Sequence, residues 1–195
     1  NASGGALPSR ATQITMRTLN QFIAAAALAT VLAGPVLADD TSDLARYREA
    51  EAIGKQRLET FDVLDFDVFT NQKRDRPKES HAKNIRVHWP DGHVTEGIDV
   101  HISDIKNMFT YAHDTRIKEH PNKLQDGEWT SAVGEMEGTF SQPMILADGT
   151  AIPPTGKAFK LKMVTVGHWT SDGVMDEEYL FWDSMAFMNQ IGLGK

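Results

Sequence analysis

The residues with the most chemical promise stand near the C-terminus. There Asp176-Glu177-Glu178-Tyr179-Leu180-Phe181-Trp182-Asp183 runs into Ser184 and on to Gln190-Ile191-Gly192. An aromatic, β-type run that ends on a carboxylate can set that carboxylate against an apolar cavity. Desolvation there raises its pKa and suits it to acid/base work. A strand of period two puts Glu177, Tyr179, Phe181 and Asp183 on one face and Glu178, Leu180 and Trp182 on the other. With the first set inward, Tyr179 and Phe181 wall the acid. Asp183 can then take a proton alpha to a carbonyl and return it to a developing oxyanion. An Asp just before a helix is equally suited to capping it.

Six of the seven histidines lie between His81 and His120. His88 and His93 flank a Pro90-Asp91-Gly92 turn, which can set them nearly opposite each other on a hairpin. A metal site there needs a third ligand, such as Asp99 or His101, and no His-Glu-x-x-His or facial-triad spacing appears. The expectation is therefore histidines that are solvated or hydrogen-bonded, with no metal and no cofactor. His88 and His168 stand beside Asp183 as candidate catalytic groups, His168 because its strand leads into Trp169. Trp89, Trp129, Tyr179, Phe181 and Trp182 are candidates for the wall of a pocket that takes a flat apolar molecule. Glu137 is a candidate substrate contact. Glu135 and Glu137, two apart on one strand face, are not the pair across a cleft that glycoside hydrolysis needs. The chain has no P-loop, dinucleotide fingerprint or nucleophile elbow.

The elements that must position these groups read from spacing. Thr41-Ser42-Asp43 offers cap oxygens before a run in which Leu44, Tyr47, Ile53, Leu58, Phe61, Leu64 and Val68 suit a long amphipathic helix. Gly54 and Asp62 are its candidate break points. Pro77 suits the start of a short helix. Ile85–Trp89 reads as a strand and Gly97–Tyr111 as a helix with Ile98, His101, Ile102, Ile105, Met108 and Phe109 at helical spacing. Thr115–His120 reads as a strand stopped by Pro121. Glu128–Phe140, Ala158–Trp169 and Val174–Trp182 read as longer strands, with Asp148-Gly149 and Asp172-Gly173 as turns. Helices first and strands afterward argue an α+β fold, with an antiparallel sheet curled around the helices into a cone.

Composition narrows the classes. Arg17 follows Met16, and an apolar run from Phe22 to Leu32 leads to Val36-Leu37-Ala38. This reads as a signal peptide over 16–38, after an upstream remnant at 1–15. The apolar run is shorter than the ~20 residues that a membrane span needs. The expected mature domain is 39–195, periplasmic or secreted. Removing two arginines and no acid moves its formal charge from −7 to −9. Such an acidic domain is a poor partner for nucleic acid or an anionic membrane. With no cysteine, disulfides, thiol catalysis and thiolate ligands are excluded.

The motifs also follow an order. His88-Trp89-Pro90-Asp91-Gly92-His93 precedes Glu96-Gly97, then Glu137-Gly138-Thr139-Phe140, then Ile152-Pro153-Pro154-Thr155-Gly156-Lys157. Asp172-Gly173-Val174-Met175-Asp176-Glu177 and the closing Trp182-Asp183 through Gln190-Ile191-Gly192 complete the series. In this order, and over about Leu44 to Gly192, the chain resembles the SnoaL-like polyketide (ester) cyclases of the nuclear-transport-factor-2-like (NTF2-like) superfamily. The resemblance implies an NTF2-like cone around an apolar pocket and a homodimer through the outer sheet face. It also implies cofactor-free acid/base chemistry on a small apolar carbonyl compound: cyclisation, isomerisation or hydrolysis. The family's acid/base Asp stands nine residues before the Gly of a terminal Gln-Leu-Gly, which maps onto Asp183; here Ile191 replaces the Leu. The alternative is a non-catalytic periplasmic protein that holds a small hydrophobic ligand, since the same scaffold and lining serve both.

Overall fold

The computed structural model describes residues 40–146 and 148–194. The expected leader, 16–38, and the segment before it lie outside the described residues. The chain divides into two compact units, Asn1–Glu49 and Ala50–Lys195. Of the first, residues 40–49 are helical and exposed. Among the described residues no helix is long and apolar enough to cross a membrane.

The second unit is α+β, with helices set against a curved, mostly antiparallel sheet. Its first helix, α1, covers 50–63 without a break at Gly54 or Asp62. Gly54 is buried, and an added Cβ would collide with the Gln125 side chain, so its small size serves a close approach rather than a kink. At Leu64 the helix widens into a π-helical segment, Leu64–Phe69. The bonds Thr70 N–H to Asp65 O and Lys73 N–H to Val68 O each reach back five residues. A π-helical turn of this kind often marks a functional position. A 3₁₀ turn follows over Pro77–Glu79, with Pro77 in its first turn as expected.

The strands are β1 (His81–His88), β2 (Val94–Glu96), β3 (Arg116–Ile117), β4 (Asn122–Asp126), β5 (Trp129–Thr139), β6 (Met144–Ile145), β7 (Ala151–Ile152), β8 (Ala158–Trp169) and β9 (Met175–Trp182). Helix α2 (Ile98–Tyr111) lies between β2 and β3, and α3 (Ser184–Gln190) follows β9. The large sheet runs β2-β1-β9-β8-β5-β3, with β4 also on β5, while β6 and β7 form a separate pair. Every pairing is antiparallel except β1 with β9. The expected strand over Thr115–His120 shortens to two residues, because the chain leaves the sheet to bring His120 against α1.

One face of the sheet carries the core. Ile85, Val87, Met136, Phe159, Leu161, Met163, Met175 and Leu180 are buried against Phe61, Leu64, Val68 and Ile98 from the helical side. Trp169 is fully buried, and its indole N–H donates to Thr130 Oγ1 at 2.8 Å, so the aromatic surface is hidden without orphaning its polar atom. Gly97 enters α2 at φ 98°, a conformation that side-chain-bearing residues rarely adopt, and lets Ile98 and His101 turn inward directly after β2.

Candidate functional site

The site begins on the first helix. Phe61, Leu64 and Val68 form its buried stripe, and Asp65 falls within that stripe rather than on the solvent side. Asp62, one helical turn earlier, points the same way. Between them sits His120, its side chain 1% exposed, with Nδ1 2.8 Å from Asp62 Oδ1 and Nε2 2.8 Å from Asp65 Oδ2. When both carboxyls are ionised the ring donates from each nitrogen and is an imidazolium; when Asp65 holds the proton it donates to Nε2 instead. Lys123 Nζ closes the chain at 2.5 Å from Asp62 Oδ2. Phe66 and Phe61 pack against the imidazole.

The acids differ in electrostatics. Burial pushes the Asp65 carboxyl above its ordinary value against the pull of His120. Burial acts the same way on Asp62, but Lys123 and His120 outweigh it and hold Asp62 below its ordinary value. Burial lowers His120, and the bonds and charges of Asp65 and Asp62 overcome that and raise it. Asp62 is therefore a fixed anion that orients His120, while Asp65 is the group most ready to hold a proton.

A second cluster comes from three other elements. His81 opens β1, His101 lies on the inner stripe of α2, and Glu178 is the inward residue of β9. All three are buried. Glu178 Oε2 lies 3.8 Å from His81 Nε2 and 3.5 Å from His101 Nε2. Burial raises Glu178, but His81 and His101 hold it below its ordinary value. Burial pushes His101 down to about 4, against the attraction of Glu178.

Asp65 of the first cluster and all three residues of the second line one cavity of about 830 Å³ of empty space, open solvent at its mouth included. Its wall is mainly apolar: Leu64, Val68 and Phe69 from the first helix, Ile102, Ile105, Met108 and Phe109 from α2, and Met136, Met163 and Leu180 from the sheet. Trp89 and Trp182 add aromatic edges, and their rings meet nearly perpendicular at 6.4 Å between centroids. Asp65, His81, His101, Thr165 and Glu178 are the polar groups deep in this wall; Lys73, Arg74 and Lys106 also border it. An apolar wall with a few convergent polar groups is the lining that a small-molecule site requires.

Of the catalytic and pocket candidates named from sequence, Trp89 and Trp182 border the cavity and the others lie elsewhere; His101, raised there only as a third metal ligand, borders it too. Asp183 is exposed at the end of β9, and its Oδ1 accepts the Ala186 N–H at 2.8 Å. It is the N-cap of α3, not a cavity acid. The parity of β9 is the reverse of the inward set proposed for it. Glu178, Leu180 and Trp182 face the cavity, while Tyr179 is on the other face and Phe181 is 52% exposed. His88, Tyr179, Trp129 and His168 are brought together, but on that outer face. His88 stacks on Tyr179 at 4.0 Å and binds Glu177, and Trp129 contacts both Tyr179 and His168. His168 Nδ1 bonds Asp176 at 2.6 Å, which raises the imidazole above its ordinary value despite some burial. Cross-strand register accounts for the grouping, since β5 pairs Trp129 with His168 and β1 pairs His88 with Tyr179. Glu137 is held by Lys118 and Arg116, and Glu135 by Lys160, so neither acid meets the cavity. His93 pairs with Asp91 and stacks on Trp89, whereas His88 binds Glu177.

The residues missed were Asp65, His120, His81 and Glu178. The available signal was an acid inside an apolar stripe, Phe61-x₂-Leu64-Asp65-x₂-Val68, and the inward parity of Glu178 with Leu180 and Trp182.

A helix-backed, curved sheet around an apolar cavity with buried acids and histidines defines an NTF2-like domain. The sequence matches the SnoaL-like polyketide cyclase family over residues 62–191, and the chain belongs to that family. No curated protein matches the sequence. Among solved structures, a candidate SnoaL-like polyketide cyclase from Jannaschia sp. CCS1 is 23% identical, with TM-score 0.63, over 73% of this chain and 96% of that one. IdmH, a candidate polyketide cyclase from Streptomyces antibioticus, is 20% identical with TM-score 0.59, over 70% and 99%. One from Xanthomonas campestris pv. campestris is 13% identical with TM-score 0.61, over 71% and 99%. These likenesses are of fold.

Proposed function

We propose that the protein is a cyclase-type enzyme that moves protons on a small apolar carbonyl compound held in the cavity, with Asp65 as its acid/base group. The observation that carries this reading is a buried carboxyl lining an apolar cavity, tied to a histidine that a second carboxylate orients. Asp65 takes the proton from a carbon alpha to a carbonyl, and the C–H electron pair becomes an enolate. In ring closure that enolate carbon attacks a second carbonyl carbon of the same molecule, and the resulting alkoxide takes the proton back from Asp65. His120 is a positioning residue: it steadies the carboxylate through Oδ2. Membership of the cyclase family supports the reaction class.

The test uses a small aryl 1,3-diketone in deuterated buffer, with exchange at its central carbon followed by proton NMR. The wild-type protein accelerates exchange. Asp65→Asn lowers the rate about 10²–10⁴-fold while the diketone still binds, because shape is kept and proton transfer is lost. Equal rates in both proteins would end the assignment of Asp65.

A second reading, a non-catalytic holder of a small hydrophobic molecule, is favoured by one observation: the residue at the family's acid/base position, Asp183, faces solvent. Tight binding of apolar probes with no exchange above background would select it. Either role is compatible with export to the periplasm and with a homodimer through the outer sheet face.

A further inference from the structure

We propose that His81, His101 and Glu178 form a site for one divalent first-row transition ion, of the zinc or ferrous class. One atom from each lies within 4.8 Å of the others, and all three residues are buried. The argument rests on which atoms face one another. His81 Nδ1 lies 3.0 Å from the Pro77 carbonyl oxygen, which can only accept, and 3.0 Å from Ser80 Oγ, which itself donates to that carbonyl; with the ring donating to Pro77, Nδ1 carries the hydrogen. In that neutral form Nε2 is a lone pair facing the carboxylate oxygen Glu178 Oε2, 3.8 Å away; only a protonated ring places a hydrogen there. Two acceptors facing each other in a buried place repel unless a positive centre lies between them. His81 Nε2 and Glu178 Oε2 are buried without a hydrogen-bond partner among the described residues, as is His101 Nδ1, the ring nitrogen other than the one nearest Glu178.

The spacing fits an ion better than it fits hydrogen bonds. The gaps of 3.5 and 3.8 Å to Glu178 Oε2 are long for N–H···O contacts. Ligand atoms each about 2.0–2.2 Å from a shared ion stand about 3.0–3.5 Å apart, so the two gaps to Glu178 close with a few tenths of an ångström, while the two imidazoles, within 4.8 Å of each other, have up to about 1–2 Å to close. The bond from His81 Nδ1–H to a backbone carbonyl is the outer contact that fixes tautomer and ring plane in metal-ligating histidines. Two imidazoles and one carboxylate leave coordination positions open, and that donor set suits zinc or iron(II) rather than calcium or magnesium. The expectation of no metal rested on chain spacing; here the three ligands come from β1, α2 and β9, and only the fold brings them together. All three border the same cavity as Asp65. An ion there supplies a Lewis acid for a carbonyl oxygen, a role separate from proton transfer at Asp65.

The test is calorimetric titration of the full chain, stripped with chelator, with zinc chloride. It is repeated on Glu178→Gln, His81→Gln, and the surface controls His88→Gln and His93→Gln, each checked for folding by circular dichroism. The expected result is one zinc per chain in the wild type and both controls. Affinity falls by more than the 10–100-fold that an outer contact is worth in Glu178→Gln and His81→Gln. A crystal soaked in zinc chloride and measured at the zinc edge covers the case in which the buried variants do not fold. An anomalous peak between His81, His101 and Glu178 supports the site. No binding, or zinc seated only at surface groups such as His93 and Asp91, overturns it. Binding is read without turnover, so the outcome is independent of whether Asp65 acts as the base.

Discussion

At Asp65 burial and, less strongly, the charge of Glu178 favour the neutral acid, while the bond and charge of His120, with a smaller pull from His81, favour the anion. The balance leaves a carboxyl above its ordinary value and beside an apolar wall, which is the condition for proton transfer near neutral pH. Asp183 shows the contrast. It is exposed and bonded to the Ala186 amide, so its work is structural. Asp183→Ala should cost about 0.5–2 kcal/mol of stability in a denaturant titration, the usual value of an N-cap, and leave diketone exchange unchanged. A large loss of exchange without a loss of stability would return Asp183 to the chemistry. Its cap role was visible in sequence, since the residue stands directly before a helical run. What sequence left open was the parity of β9. Tyr179 and Phe181 on one face and Leu180 and Trp182 on the other are both apolar enough to face a cavity. The choice is made by packing, because His101 of α2 and His81 of β1 meet Glu178 on the even face.

The elements were easier to read than the residues. The helix over Ile98–Tyr111 and the strand over Ala158–Trp169 follow from apolar spacing and from their turns, because each buries one regular stripe. The π-helical segment at Leu64–Phe69 and the return of His120 to α1 were not legible, since both depend on contacts distant in the chain. That contact makes a pH-dependent clamp between α1 and the β3–β4 connection. His120 is raised in the folded protein, so it binds a proton more tightly there than in the unfolded chain. Its contribution to stability is full below the unfolded value of about 6.5 and is lost as pH rises through the higher folded value. The urea midpoint should therefore fall between pH 6 and pH 9 in wild type, and that part of the fall should vanish in His120→Gln. An identical slope in the variant would show that the clamp does not titrate.

At the scale of the whole molecule, the sheet separates two surfaces with different work. The inner face closes the cavity, while the outer face gathers Trp129, Tyr179, His88 and His168 beside exposed Phe181. We expect this outer face to join two copies of the chain. Light scattering after gel filtration should give twice the mass of one chain for wild type and a monomer for Phe181→Lys; a wild-type monomer would refute the dimer. The cone itself was legible because helices precede strands and the family motifs keep their order. Its chemistry was not, because the fold brings Asp65 and His120 together across 55 positions of chain. The measurement closest to the central claim is a carbon-13 carboxyl titration of Asp65 in the full protein, followed by NMR from pH 2 to pH 9. The account predicts a midpoint above the ordinary 3.8, coupled to the His120 ring and moved by His120→Gln. A midpoint at or below 3.8, unmoved by that substitution, would contradict it.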